Sequence, residues 1–118
     1  MIKQKNQIIG SFVFRNEGNG CLTSKFQHGN SKECPFTEAC KLKNKEKINK
    51  INSFYGIYRT VWLQDNNAIV NSDLLIEEHP ENPDLFKLTW HKPDKPNDII
   101  FWGSGMIFEN LLVGAYWT

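Results

Sequence analysis

The sequence predicts a mainly β protein: a single antiparallel, up-and-down, barrel-like sheet of about seven to eight strands. Three observations carry this. Apolar residues recur at every second position through most of the chain, the period of a strand with one face buried. Polar breaks rich in Asn, Asp, Gly and Pro separate these runs, and those between the last five are short enough to join antiparallel neighbours. Gly10, Gly56, Gly103, Gly105 and Gly114 fall inside runs that otherwise read as strand, where glycine marks a bulge, a bend or a close backbone approach. A sheet with such interior glycines curls, and closing it into a barrel hides edges that would otherwise invite pairing with another chain.

The elements follow in order. Residues 7–15 place Ile8, Gly10, Phe12 and Phe14 on one face and Ser11 and Arg15 on the other. Asn16 to Gly20 form a loop of residues that tolerate positive φ. Residues 21–28 set Leu22, Ser24 and Phe26 against Thr23 and Lys25, completing a hairpin. The 29–52 segment breaks the alternation. Pro35 suits a first helical turn, and Phe36, Ala39 and Cys40 at i, i+3, i+4 predict one short helix over about 36–43. Five lysines between 41 and 50 face only Glu46, as in a solvated connection. Residues 53–64 form the strongest strand: Phe54, Gly56, Tyr58, Thr60 and Trp62 share one face, and Tyr55, Ile57, Arg59, Val61 and Leu63 the other. Residues 68–78 turn Leu74 and Ile76 to the core and Asp73 and Glu77 outward. Residues 85–91 turn Phe86, Leu88 and Trp90 inward, with Lys87 and Thr89 outside. Residues 99–118 read as two strands about Glu109-Asn110, apolar on both faces. Such a hairpin needs cover on both sides. The 29–52 segment is the spare piece that could supply it, which predicts that Phe36 and Cys40 are buried.

Bulk properties narrow the function. The 118 residues suit one domain, 1–118, with a real core. A net charge of +1, with Arg15 and Arg59 as the sole arginines, speaks against nucleic acid. No apolar run approaches the ~20 residues needed to span a bilayer, so no membrane partner is expected. The opening MIKQKNQIIGSF lacks a signal-peptide pattern, so the expected location is the cytoplasm. An odd count of three cysteines there argues against a disulfide framework.

A glycine- and aromatic-bearing strand near the start (GSFVF, then FYGIYRTVW), a meander of short strands, and Trp and Tyr spread through them resemble the calycin group, the small up-and-down barrels of lipocalins, fatty-acid-binding proteins and avidins. The likeness covers 53–118 well and 7–28 loosely, and it implies the architecture. It carries over no ligand residue: Gly10 is followed by Ser11 and Phe12 where lipocalins have Gly-x-Trp, and the 29–52 break is long for an avidin-like series of hairpins.

Several constellations bear on chemistry. Cys21, His28, Cys34 and Cys40 are all zinc-ligand types, but the spacing C-x6-H-x5-C-x5-C lacks the close thiolate pair of a zinc knuckle. Buried thiols acting as small hydrophobes, or a Cys34–Cys40 disulfide, compete with a metal, and neither a metal nor another cofactor is expected. A cysteine nucleophile would need His28, His79 or His91 within hydrogen-bond reach; no local signature points to that, and His79 and His91 read as solvated. Trp102-Gly103-Ser104-Gly105 precedes strand, not helix, so it is curvature and not a phosphate loop. The lysine run lacks the interleaved aromatics of a nucleic-acid surface.

The strand aromatics are more informative, because a small barrel either fills itself with them or leaves room for a small ligand. The expected ligand-binding residues are Tyr58, Arg59, Trp62, Trp90 and Trp102. The polar side chains that could point inward are Ser24, Tyr58, Arg59, Thr60 and Ser72. Arg59, between Ile57 and Val61, would bind a ligand carboxylate or phosphate if it faced inward; the competing readings are a place on the outer face or a pairing with Glu77 or Glu78 across the sheet. The expected function is binding of a small apolar or aromatic molecule without catalysis. The alternative is a filled barrel that homodimerises through the C-terminal hairpin as a structural or interaction domain, with an enzyme at the barrel mouth a more distant third.

Overall fold

The computed structural model describes residues 9–29, 35–43, 53–63 and 67–118. Eight strands run in chain order: β1 Ile9–Gly18, β2 Cys21–His28, β3 Phe36–Leu42, β4 Gly56–Leu63, β5 Ile69–Glu78, β6 Phe86–Lys92, β7 Lys95–Phe108 and β8 Leu111–Trp117. Each pairs antiparallel with the next, and β8 pairs with β1, so the sheet is a closed up-and-down barrel without edges. No helix among these residues is long and apolar enough to cross a membrane.

Local chemistry explains the tight turns. Asn19 and Gly20 both take positive φ between β1 and β2, as do Glu109 and Asn110 between β7 and β8. Two-residue turns of this hand match the twist of the strands they join. Pro93 and a positive-φ Asp94 link β6 to β7 through the Lys92–Lys95 pair. The alternation expected of the strands then fills the interior. Phe14, Leu22, Tyr58, Leu74, Ile76, Leu88 and Leu112 are almost wholly withdrawn from water, each burial favouring the fold by about 1.5–3 kcal/mol. Phe54 covers one end of this core, and its carbonyl accepts a 2.8 Å hydrogen bond from the Tyr58 hydroxyl.

The short helix expected over 36–43 is absent: this stretch is β3. Phe36, Glu38, Cys40 and Leu42 turn inward while Thr37, Ala39 and Lys41 are exposed, a period of two. The strand is paired along its length with β2 and β4. Two full ladders of backbone hydrogen bonds outweigh a helix too short to be stable alone. Cys40 is buried as expected and Phe36 is half-buried. They reach that burial as part of the barrel wall and not as a cover laid over it. Most of the lysine run, 44–50, lies outside the described residues.

Two interior glycines are needed where aromatic rings meet the wall. A Cβ on Gly10 would collide with the Tyr116 ring, and one on Gly103 would stand 2.9 Å from the Trp90 ring. Both rings belong to the site described next.

Candidate functional site

The polar side chains of the interior are gathered at one level of the barrel. β2 contributes Ser24, β3 Glu38, β4 Thr60 and β5 Ser72, all buried. Register sets Ser24 opposite Glu38 and Thr60 opposite Ser72. The Thr60 and Ser72 hydroxyls share a 3.2 Å hydrogen bond. Trp90 reaches from β6 across the interior, and its indole N–H donates to Glu38 Oε2 at 3.0 Å.

Glu38 is 3 % exposed, and burial pushes its carboxyl up to about 7, against the pull of Trp90, Thr60 and Ser24, which favour the charged form. Ser24 lies close enough to contribute to that pull, yet its Oγ makes no hydrogen bond of proper length and angle. Burial, and after it the Glu38 charge, also push up the Cys40 thiol and the Tyr116 phenol. The electrostatic character of this interior is therefore acidic: it disfavours a second negative charge and favours a positive one.

A circuit of rings stands beside these groups. Phe26 meets Trp62 at 6.2 Å, Trp62 meets Phe101 at 6.5 Å, Phe101 meets Tyr116 at 5.3 Å, and Tyr116 returns to Phe26 at 6.2 Å. Trp90 packs edge-on against both Phe101 and Tyr116. Phe26 and Phe101 are half-buried, as is His28, whose Nδ1 is hydrogen-bonded to the Tyr116 hydroxyl.

Of the residues expected to bind a ligand, Trp62 and Trp90 lie in this interior, and Trp62 is the cross-strand partner of Glu38. Tyr58 also points inward, but toward the Phe54 end. Trp102 stands on the outer face, 39 % exposed and paired with Trp117. Arg59 is outward too. Its Nε donates to Asp73 Oδ1 at 2.6 Å and its Nη2 to Asp94 Oδ1 at 3.2 Å. Lys43 completes the cluster, its Nζ 3.1 Å from Asp73 Oδ2 and 2.9 Å from Asp94 Oδ1. The partners of Arg59 are thus these aspartates and not Glu77 or Glu78. Asp73 is fully buried, although it faces outward. Burial alone would raise its pKa, but the Asp94 amide, Lys43 and Arg59 together hold it below the usual carboxylate range.

The other candidates fall apart geometrically. Cys21 and Cys40 are free thiols. Their register partners, Lys41 and Leu22, put them on opposite faces of the sheet. Cys34 lies outside the described residues, among which no group of three or more His, Cys, Asp or Glu could hold a metal. His79 caps its own turn by accepting from the Glu81 amide. His91 is buried and not solvated as expected, with Nδ1 2.8 Å from the Lys92 carbonyl. Trp102 to Gly105 lie within β7, in keeping with curvature.

Sequence reasoning missed Glu38. The available signal was the alternation of 36–42, which puts Glu38 on the same face as Phe36, Cys40 and Leu42. Compared with protein families, curated proteins and solved structures, the chain matches no family model, no curated protein and no solved structure.

Proposed function

We propose that this chain is a calycin-like, cytoplasmic, non-enzymatic protein that binds a small apolar or aromatic molecule inside its barrel. The observation that carries this is the pairing of a buried carboxyl, Glu38, with a buried and unpartnered hydroxyl, Ser24, amid aromatic rings. A barrel whose interior served stability alone would gain from apolar side chains there, because an unsatisfied buried polar group costs about 1–3 kcal/mol. Ligand sites are built this way, apolar walls with a few convergent polar groups.

The test uses the full chain and a neutral aromatic probe, 2-phenylethanol, followed by intrinsic tryptophan fluorescence. Saturable quenching at one site per chain, weakened in Trp62→Phe, is expected. A strictly linear, non-saturable response to this probe and to its charged analogues would contradict interior binding.

A second reading is favoured by a different surface. Trp102, Met106, Phe108 and Trp117 are exposed on the outer face of β7 and β8, with Ile9 beside them on β1. A second copy of the chain seated there would make a homodimer. Sedimentation at tens of micromolar decides it: a dimer split by Met106→Lys supports this reading, and a monomer at every concentration removes it.

A further inference from the structure

We propose that the molecule held in the barrel is a primary amine on a compact aromatic body, its ammonium paired with Glu38 and hydrogen-bonded to Ser24. This rests on the ligand-binding reading above and names the chemistry of the ligand.

Three independent features of the interior point to a cation with N–H donors. The first is the charge inventory. Every described lysine and arginine lies on the outer face or in a turn, none of them buried. Among the described residues Glu38 therefore has no basic partner, whereas the other buried carboxylate, Asp73, has two. A buried charge is stable in a protein when it is paired, so an ionised Glu38 calls for a cation brought by a guest.

The second is the hydrogen-bond inventory. Trp90 supplies one donor to Glu38 Oε2. Ser24 Oγ, 2 % exposed and directly across the ladder from Glu38, has no partner. A hydroxyl can accept as well as donate, and an ammonium brings three donors and no acceptor. A primary ammonium beside Glu38 would satisfy the carboxylate and the Ser24 oxygen together. A quaternary ammonium, with no N–H, would satisfy neither.

The third is the wall. Phe26, Trp62, Phe101 and Tyr116 close a circuit of rings, and Trp90 packs on two of them while bonded to Glu38. Ring faces carry negative potential and attract cations, most strongly when water is excluded. The same rings offer an apolar surface to the rest of the molecule. An anionic ligand meets the reverse situation, because burial, and after it the Glu38 charge, already disfavours negative charge on Cys40 and Tyr116.

The experiment is a calorimetric titration of the full chain at pH 8 with four probes that share a phenylethyl body: 2-phenylethylamine, 2-phenylethanol, 3-phenylpropionate and (2-phenylethyl)trimethylammonium. The amine is expected to bind at least ~10-fold more tightly than the alcohol, in line with a charge-assisted hydrogen bond. The carboxylate and the quaternary ion should bind more weakly than the amine. In Glu38→Gln, which keeps an acceptor for the Trp90 N–H, amine affinity should fall roughly 10-fold or more while the alcohol stays within about 2-fold. Ser24→Ala, a mild change to the fold, should lower amine affinity by roughly 3-fold and serves if Glu38→Gln does not fold. Equal affinity for amine and alcohol, or loss of both alike in Glu38→Gln, would overturn the amine assignment and leave interior binding standing. Binding of none of the four would overturn both.

Discussion

Asp73 and Glu38 are carboxylates of one barrel wall, on β5 and β3 with β4 between them, both withdrawn from water, and the protein treats them oppositely. Asp73 points outward and is enclosed by Arg59, Lys43 and the Asp94 amide. Glu38 points inward among rings and hydroxyls, with the Trp90 indole as its donor. Their pKa values move apart accordingly, Asp73 down and Glu38 up to about 7. A similar loss of solvent contact thus gives two different groups, because Asp73 lies just beneath charged side chains and Glu38 lies in the interior. One is a completed ion cluster that pins the β6–β7 turn to the outer face of β4 and β5. The other is an acid whose ionisation is opposed by its surroundings and which is suited to meeting a cation.

The comparison breaks most visibly at Asp73. Replacing both cations, Arg59→Ala with Lys43→Ala, leaves the buried carboxylate with only the Asp94 amide, and should destabilise the fold by about 3–5 kcal/mol in urea unfolding at pH 7. A loss below about 1 kcal/mol would mean that the cluster is no more than a surface ion pair.

The next effect is of opposite sign. Glu38→Gln should raise stability at pH 8 by about 3 kcal/mol, the free-energy equivalent of lifting a carboxyl from its ordinary value to about 7. At pH 5, where Glu38 is already protonated, the same substitution should change little. A variant less stable than wild type at pH 8 would show that the Glu38 charge is welcome in the empty barrel.

Wild-type pH dependence then separates the two groups. Between its unfolded value and about 7 the folded chain holds a proton on Glu38 that the unfolded chain has released, so stability falls as pH rises through that window. Asp73 works the other way: its contribution is present above the unfolded carboxylate value and is lost as pH drops through its lowered folded value. Urea midpoints should therefore peak near pH 5. A profile that climbs steadily from pH 5 to pH 8 would contradict the placement of Glu38.

The smallest effect belongs to Ser24. Its hydroxyl has no partner to lose, so Ser24→Ala should leave stability unchanged or raise it by up to about 1 kcal/mol. A clear loss of stability would mean that the hydroxyl is already satisfied without a ligand.

The barrel was legible because period-two patterning and turn chemistry are local. Gly56, Tyr58, Thr60 and Trp62 announce one face of β4, and Glu109-Asn110 announces the turn from β7 to β8. The helix expected at 36–43 shows the limit of that signal. Three residues at helical spacing competed with an alternation in which one inward position is a glutamate, and a carboxyl in a strand is ordinarily on the wet side. Glu38 hid β3 for the same reason that it makes the interior interesting. Arg59 was ambiguous for another reason: its partner depends on strand register, which places it opposite Asp73, and register is a property of the assembled sheet. The ring circuit was invisible as well, since Phe26 on β2, Trp62 on β4 and the Phe101 and Tyr116 of the β7–β8 hairpin meet only when the barrel closes.

The most direct test is the titration of the Glu38 side-chain carboxyl by 13C NMR, in the free chain and with saturating 2-phenylethylamine. The expected midpoint is about 7 in the free chain. With the amine bound it should fall by at least about one unit, the linked counterpart of a tenfold preference for the ionised form. A midpoint near the ordinary value of about 4.3, the same with and without amine, would contradict an interior acid kept for a cationic guest.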